Sequence, residues 1–365
     1  MPYYPLYALL FLDTGLSGAQ VSLLFALWSV TGLVTEVPAG VLADRWSRRG
    51  VVVLAGVLQA AGFAVWTAAP ATWSFAAGFV IWGASSALVS GAAEALVYDG
   101  LAAVGAEADY TRVNGWMTAA ELLVQVPTAF AASALFAVGG YPAVGWVSVA
   151  VCLAAAALAL RFPEVRHVAG AEDDDEEEVP LRQGVREALR SPGLRLTVLA
   201  VALLGGLDAV EEYFPVLAAD WGVATSAVPF AVLATALAGA LGGALAGRAE
   251  RLPDRALPGL LVLAGLLLLV AAAWARPAAL VALSAAYGLY IAVLVVGEAR
   301  LQQRITGPHR ATITSVAGLG VELASLPVFA AWAFGGLGGI AAVVLVVVPL
   351  VAAGLRSRRP AQATG

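Results

Sequence analysis

Long apolar runs separated by short polar breaks recur along this chain, and their length sets the first expectation. An α-helix rises about 1.5 Å per residue, so about 20 apolar residues match a hydrocarbon layer of roughly 30 Å. Runs of this kind predict helices over residues 2–12, 20–43, 51–69, 72–98, 113–138, 142–162, 195–218, 226–247, 257–275, 278–299, 312–334 and 336–355. The first is short, because the apolar residues before Asp13 make only roughly 17 Å of helix. The seventh run shares its Phe214-Pro215-Val216 element with Tyr4-Pro5-Leu6, yet it has an apolar lead-in over 194–211 that the first lacks. The expectation is a truncated first helix, either from a true start about 15 to 30 codons upstream of Met1 or from a truncated gene.

One long polar segment interrupts the pattern. Residues 163–193 separate six apolar runs from six, which divides the chain into an N-terminal six-helix bundle (1–162), an acidic linker (163–193), a C-terminal six-helix bundle (194–355) and a basic tail (356–365). Within the linker, "EDDDEEE" at 172–178 reads as a solvated segment, since adjacent like charges repel. "LRQGVREALRSPG" after it has the spacing of a short helix lying at a membrane surface.

Composition agrees with this reading. With 61% hydrophobic and 12% charged residues, and a mean hydropathy of +0.87, the chain is an all-α integral membrane protein and not a water-soluble globule. All 20 basic residues are Arg. With the N-terminus inside, Arg276 alone falls outside, and that asymmetry predicts an even number of crossings with both termini cytoplasmic, in the cell (inner) membrane. Arginines confined to helix ends argue for a lipid bilayer as partner and against nucleic acid. Cys152 is the single cysteine and excludes disulfides, while His167 and His309 are too far apart in sequence to suggest a metal site. No metal or cofactor is expected. No nucleophile with its base is evident, so the chain does not read as an enzyme.

The densest early charge stands in "VPAGVLADRWSRRG", residues 37–50, where an apolar helix gives way to one Asp and three Arg. Part of this stretch recurs. "GVLADR" at 40–45 aligns with "GALAGR" at 243–248, "EAL" at 94–96 with "EAR" at 298–300, and "AELLVQVP" at 120–127 with "VELASLP" at 321–327, all at offsets of 201 to 204. Each match occupies the same place in its half, as in transporters built from repeated bundles.

Twelve helices in two pseudo-symmetric halves, a long cytoplasmic middle segment and "GVLADRWSRR" together resemble the major facilitator superfamily of secondary transporters. The signature of that family, approximately G-x-L-A-D-R-x-G-R-R, is met by Gly40, Leu42, Ala43, Asp44, Arg45, Arg48 and Arg49, with Ser47 in place of the second glycine. The resemblance implies a cytoplasmic gate formed by Gly40, Asp44, Arg45, Arg48 and Arg49 with Asp99 as their nearest acidic partner; the plainer reading is a positive-inside loop. Gly40 is expected to permit close helix approach. Gly247 stands where the second copy would need an Asp, so the gate chemistry is expected in the first half only. The glycine pattern of drug–proton antiporters is missing from the fifth helix.

Acids at membrane depth are costly and mark substrate or proton pathways. Asp208, Glu211 and Glu212 in "DAVEEY" have the i, i+3, i+4 spacing of one helix face, where three carboxylates ionise together only at high cost. The cluster fits proton coupling, binding of a substrate cation, or a water-facing structural role. Glu121 and Gln125, one turn apart before Pro127, suit a cavity wall or a polar helix contact, and Glu322 is the second-half counterpart of Glu121. Tyr213, Tyr287 and Tyr290 fit either cavity lining or packing. The resulting expectation is a monomeric secondary transporter working by alternating access, with proton-coupled export of small amphipathic molecules preferred over proton-coupled uptake of a nutrient or metabolite. A non-transporting receptor or scaffold on the same fold is a remote alternative.

Overall fold

The computed structural model describes residues 1–162, 191–305 and 310–356. The acidic run, most of the expected surface helix, both histidines and nearly all of the basic tail lie outside the described residues. Among those described there is no strand.

The helices are α1 (Tyr7–Asp13), α2 (Gly18–Arg45), α3 (Arg48–Ala68) and α4 (Thr72–Ala102), followed by a helical stretch Tyr110–Ala159 broken into α5 (110–138) and α6 (141–159). The second half contains α7 (Pro192–Leu207), a 3₁₀ turn Asp208–Tyr213, α8 (Phe214–Asp220), α9 (Val228–Ala249), α10 (Ala256–Trp274) and α11 (Ala279–Arg304). A last stretch, Arg310–Gly354, divides into α12 (310–335) and α13 (337–354). The two breaks come from glycine: Gly140 has φ +60° and Gly336 has φ +56°, a left-handed backbone that a side chain disfavours. Nine helical stretches among the described residues are long and apolar enough to cross a membrane. Dividing two of them at these breaks and adding α1 recovers the twelve expected segments.

Local chemistry sets several helix starts. Ser17 and Gln20 form a reciprocal capping box at α2, with the Ser17 N–H donating to Gln20 Oε1 at 2.8 Å. Ser191 precedes α7, where Pro192 occupies the first turn and needs no N–H partner. Pro215 likewise lacks the N–H that an unbroken α-helix would direct at the Glu211 carbonyl, which explains why the seventh crossing passes through a 3₁₀ turn.

Backbone packing divides the chain into two compact units, Met1–Asp175 with Glu212–Leu233, and Glu176–Glu211 with Ala234–Gly365. The chain therefore passes between units inside the 3₁₀ turn, not only in the linker, and residues 212–233 pack with the first unit.

Each unit repeats the same contacts. In the first, α3 packs on α4 and on α6; in the second, α10 packs on α11 and on α13. Lipid tails are as apolar as leucine, so close approach of small residues contributes much of the association. At Gly242 in α9 a Cβ would lie 1.9 Å from the Gly288 carbonyl oxygen in α11, so this crossing requires glycine. The short α1 is held by rings: Tyr7 meets Trp66 at 5.6 Å, Trp82 at 5.7 Å and Phe79 at 6.0 Å, largely edge-on as aromatic quadrupoles prefer.

Candidate functional site

The α2–α3 turn brings its charges onto neighbouring helices. Ser47 has an extended backbone (φ −165°, ψ 116°) and caps α3, its Oγ accepting from the Gly50 N–H at 2.8 Å. No left-handed residue is needed there, so the missing glycine is replaced by a helix cap. Arg48, the first residue of α3, pairs with Asp99 on α4. Arg49 donates to the Phe162 carbonyl at 3.2 Å, just beyond α6. Asp44 and Arg45 end α2, and their side chains lie outside what the structure describes.

Gly40 corrects an expectation. A Cβ on it would meet nothing within 4 Å, because it borders a 140 Å³ cavity shared with Glu36, Arg48, Ala87 and Ala92. The close helix approach expected at Gly40 is not made there.

The second half has an ion pair that the sequence pattern did not reveal. Asp254, in the loop before α10, lies 3.3 Å from Arg300 on α11. Arg300 also donates to the Leu355 carbonyl, and Arg304 donates to Thr197 Oγ1 and to the carbonyls of Gly354 and Arg356. This ion pair lies apart from Gly247, the residue that stands where the second copy of the motif would need an Asp. The signal is Arg300 itself, an Arg that lies within the helix Ala279–Arg304, past the predicted helix end at 299.

The acidic cluster is divided. In a 3₁₀ turn three residues complete a turn, so residues i and i+3 eclipse and i+4 is rotated by roughly 120°. Asp208 and Glu211 accordingly meet one hydroxyl, with Tyr287 Oη at 3.0 Å from Asp208 Oδ1 and 3.4 Å from Glu211 Oε2. Glu212 turns away and accepts from the Tyr7 hydroxyl on α1. The single helix face expected for all three acids is overturned by this geometry. Of the other tyrosines, Tyr290 donates to the Leu204 carbonyl at 2.8 Å, and the Tyr213 hydroxyl lies 2.7 Å from Ser22 Oγ. Glu121 is exposed and Gln125 half-buried on α5, while Glu322 is half-buried on α12.

A sequence model of the Major Facilitator Superfamily matches residues 1–328. The chain belongs to the Major Facilitator Superfamily. Membership makes it a multi-pass membrane transporter and not an enzyme. Solved structures of superfamily members have the same fold. The nucleoside transporter NupG gives a TM-score of 0.72 at 12% identity, covering 96% of this chain and 93% of that one. A bacterial homologue of the human lysosomal transporter Spinster, inward-facing and unoccupied, gives 0.73 at 17% identity over 97% and 91%. The D-xylose–proton symporter gives 0.67 at 13% identity over 96% and 92%. These likenesses concern the fold alone. No curated protein matches the sequence.

Proposed function

We propose that this superfamily member is a secondary active transporter working by alternating access, coupled to protons through Asp208, Tyr287 and Glu211. The observation that carries the reading is the shared hydroxyl. A phenol has one hydrogen to donate, yet Tyr287 Oη lies within hydrogen-bond distance of two acids. Both contacts are favourable only when one acid is protonated and donates back to the phenol oxygen. The trio therefore accommodates one exchangeable proton, and the proton is shared by the group rather than owned by one residue. Glu212, with its own partner in Tyr7, lies outside this set.

Export of small amphipathic molecules is the direction and class adopted. α5 offers a mixed surface for such a substrate, with Glu121 and Gln125 among the exposed apolar residues Leu122, Leu123 and Val126. Uptake is the second reading, favoured by the likeness to a protein described as a D-xylose–proton symporter. The arginine distribution supports cytoplasmic termini in the cell membrane. Purified protein in proteoliposomes with an imposed pH gradient tests all of this, using ethidium, uridine and D-xylose as probes. Proton-driven exchange of ethidium is expected; co-transport of uridine or D-xylose with protons would favour uptake, and flux that ignores the pH gradient would overturn proton coupling.

A further inference from the structure

Asp99 and Arg300 are the charged residues found buried among those described. They occupy equivalent helices, α4 and α11, the fourth crossing of each half, at an offset of 201 that falls within the range of the sequence repeat. Each is neutralised from the segment that leads into the preceding helix: Arg48 at the start of α3, and Asp254 just before α10. In both pairs the helix member is the more enclosed, with side chains 11% exposed for Asp99 and 10% for Arg300, and the loop member more open, 29% for Arg48 and 33% for Asp254. A buried ion is costly without a counter-charge, so each helix requires its loop to stay docked. The sign is reversed between the halves.

We propose that Asp254–Arg300 is a second ion-pair latch, equivalent in place and opposite in sign to Arg48–Asp99, and that Arg300 joins the α9–α10 loop to the end of α13. The last carbonyls of any helix lack intrahelical donors. Arg300 and Arg304 supply donors to Leu355, Gly354 and Arg356, while Thr197 ties the start of α7 to the same node. One guanidinium thus holds the loop by charge and α13 by hydrogen bonding. Neither substrate identity nor proton coupling enters this argument.

Amide hydrogen exchange of the full chain in lipid nanodiscs separates the two roles. Asp254→Asn should speed exchange at 250–256 by at least tenfold and leave 352–356 unchanged, whereas Arg300→Leu should speed both. Reversal of the pair, Asp254→Arg with Arg300→Asp, should restore slow exchange at 250–256 but not at 352–356, because an aspartate cannot donate to the Leu355 carbonyl. If Arg300→Leu does not fold, Arg300→Lys serves, with the loop expected to remain slow. In flux of whichever probe moves, Asp254→Asn should lower kcat with KM unchanged. Unaltered exchange at 250–256 in Asp254→Asn, or no recovery in the reversed pair, would overturn the proposal; so would a changed KM with kcat intact.

Discussion

The Tyr7 hydroxyl donates to the Glu212 carboxylate, tying α1 to the turn that leads into α8. Tyr7 is buried among the rings of Phe25, Trp66, Phe79 and Trp82, so its hydroxyl is held by packing before it meets the acid. Phenylalanine would keep the rings and remove the donor. A hydrogen bond to a charged group contributes about 1.5–3 kcal/mol. Tyr7→Phe is expected to cost stability of that order and Glu212→Gln less, because the amide oxygen still accepts from the phenol, and the double variant little more than Tyr7→Phe alone, as measured by reversible unfolding in mixed micelles. Additive losses would show that the two residues do not act as a pair.

Proton coupling should follow the division of the acids. Asp208→Asn or Glu211→Gln is expected to reduce accumulation driven by a pH gradient at least tenfold, while gradient-free exchange of the same probe survives. Glu212→Gln should keep pH-driven accumulation. Tyr287→Phe retains the ring but removes the shared hydroxyl, and an intermediate loss is expected. Flux with and without the gradient distinguishes these outcomes, and equal effects at all three acids would return Glu212 to the coupling group.

At the α2–α3 turn, Arg48→Ala would leave Asp99 buried and unpaired, a change that costs about 3–5 kcal/mol when a buried ion loses its partner. Asp99→Asn should cost less, because Arg48 is the more exposed member and keeps access to water. Asp44→Asn and Arg45→Ala are expected to abolish flux while membrane insertion is retained. Surface labelling measures insertion and proteoliposome flux measures transport; wild-type flux in a well-expressed Asp44→Asn variant would remove this turn from the gate.

The crossings were legible because their signal is local: apolar length, and glycine pairs at 139–140 and 335–336 where one helix stops and the next begins. The Arg48–Asp99 pair was legible because a family signature supplied one member and topology the other. The fate of DAVEEY was not. Its spacing suggests one face only if the backbone is α-helical, and the departure from α geometry depends on Pro215, two residues beyond the motif. Asp254–Arg300 joins residues 46 apart through no shared motif, and Tyr7–Glu212 joins residues 205 apart. Such pairs are set by tertiary packing, which neither periodicity nor composition encodes position by position.

Ser47 gives a prediction that separates capping from backbone freedom. The superfamily signature has glycine at this place, which would suggest that the turn needs a left-handed residue, yet Ser47 is extended and its Oγ binds the Gly50 N–H. If backbone freedom were the requirement, Ser47→Gly would stabilise the turn. If the cap is what matters, Ser47→Ala should cost about 0.5–2 kcal/mol and Ser47→Gly only a few tenths, since glycine is itself tolerated at an N-cap. The loss should be local, because Arg48 follows the cap directly and its reach to Asp99 depends on where α3 begins. Unfolding of each variant in mixed micelles, with amide exchange at 48–52 as the local reading, orders them as wild type, Ser47→Gly, then Ser47→Ala. A Ser47→Gly protein more stable than the wild type would show that backbone freedom, not the hydroxyl, governs this turn.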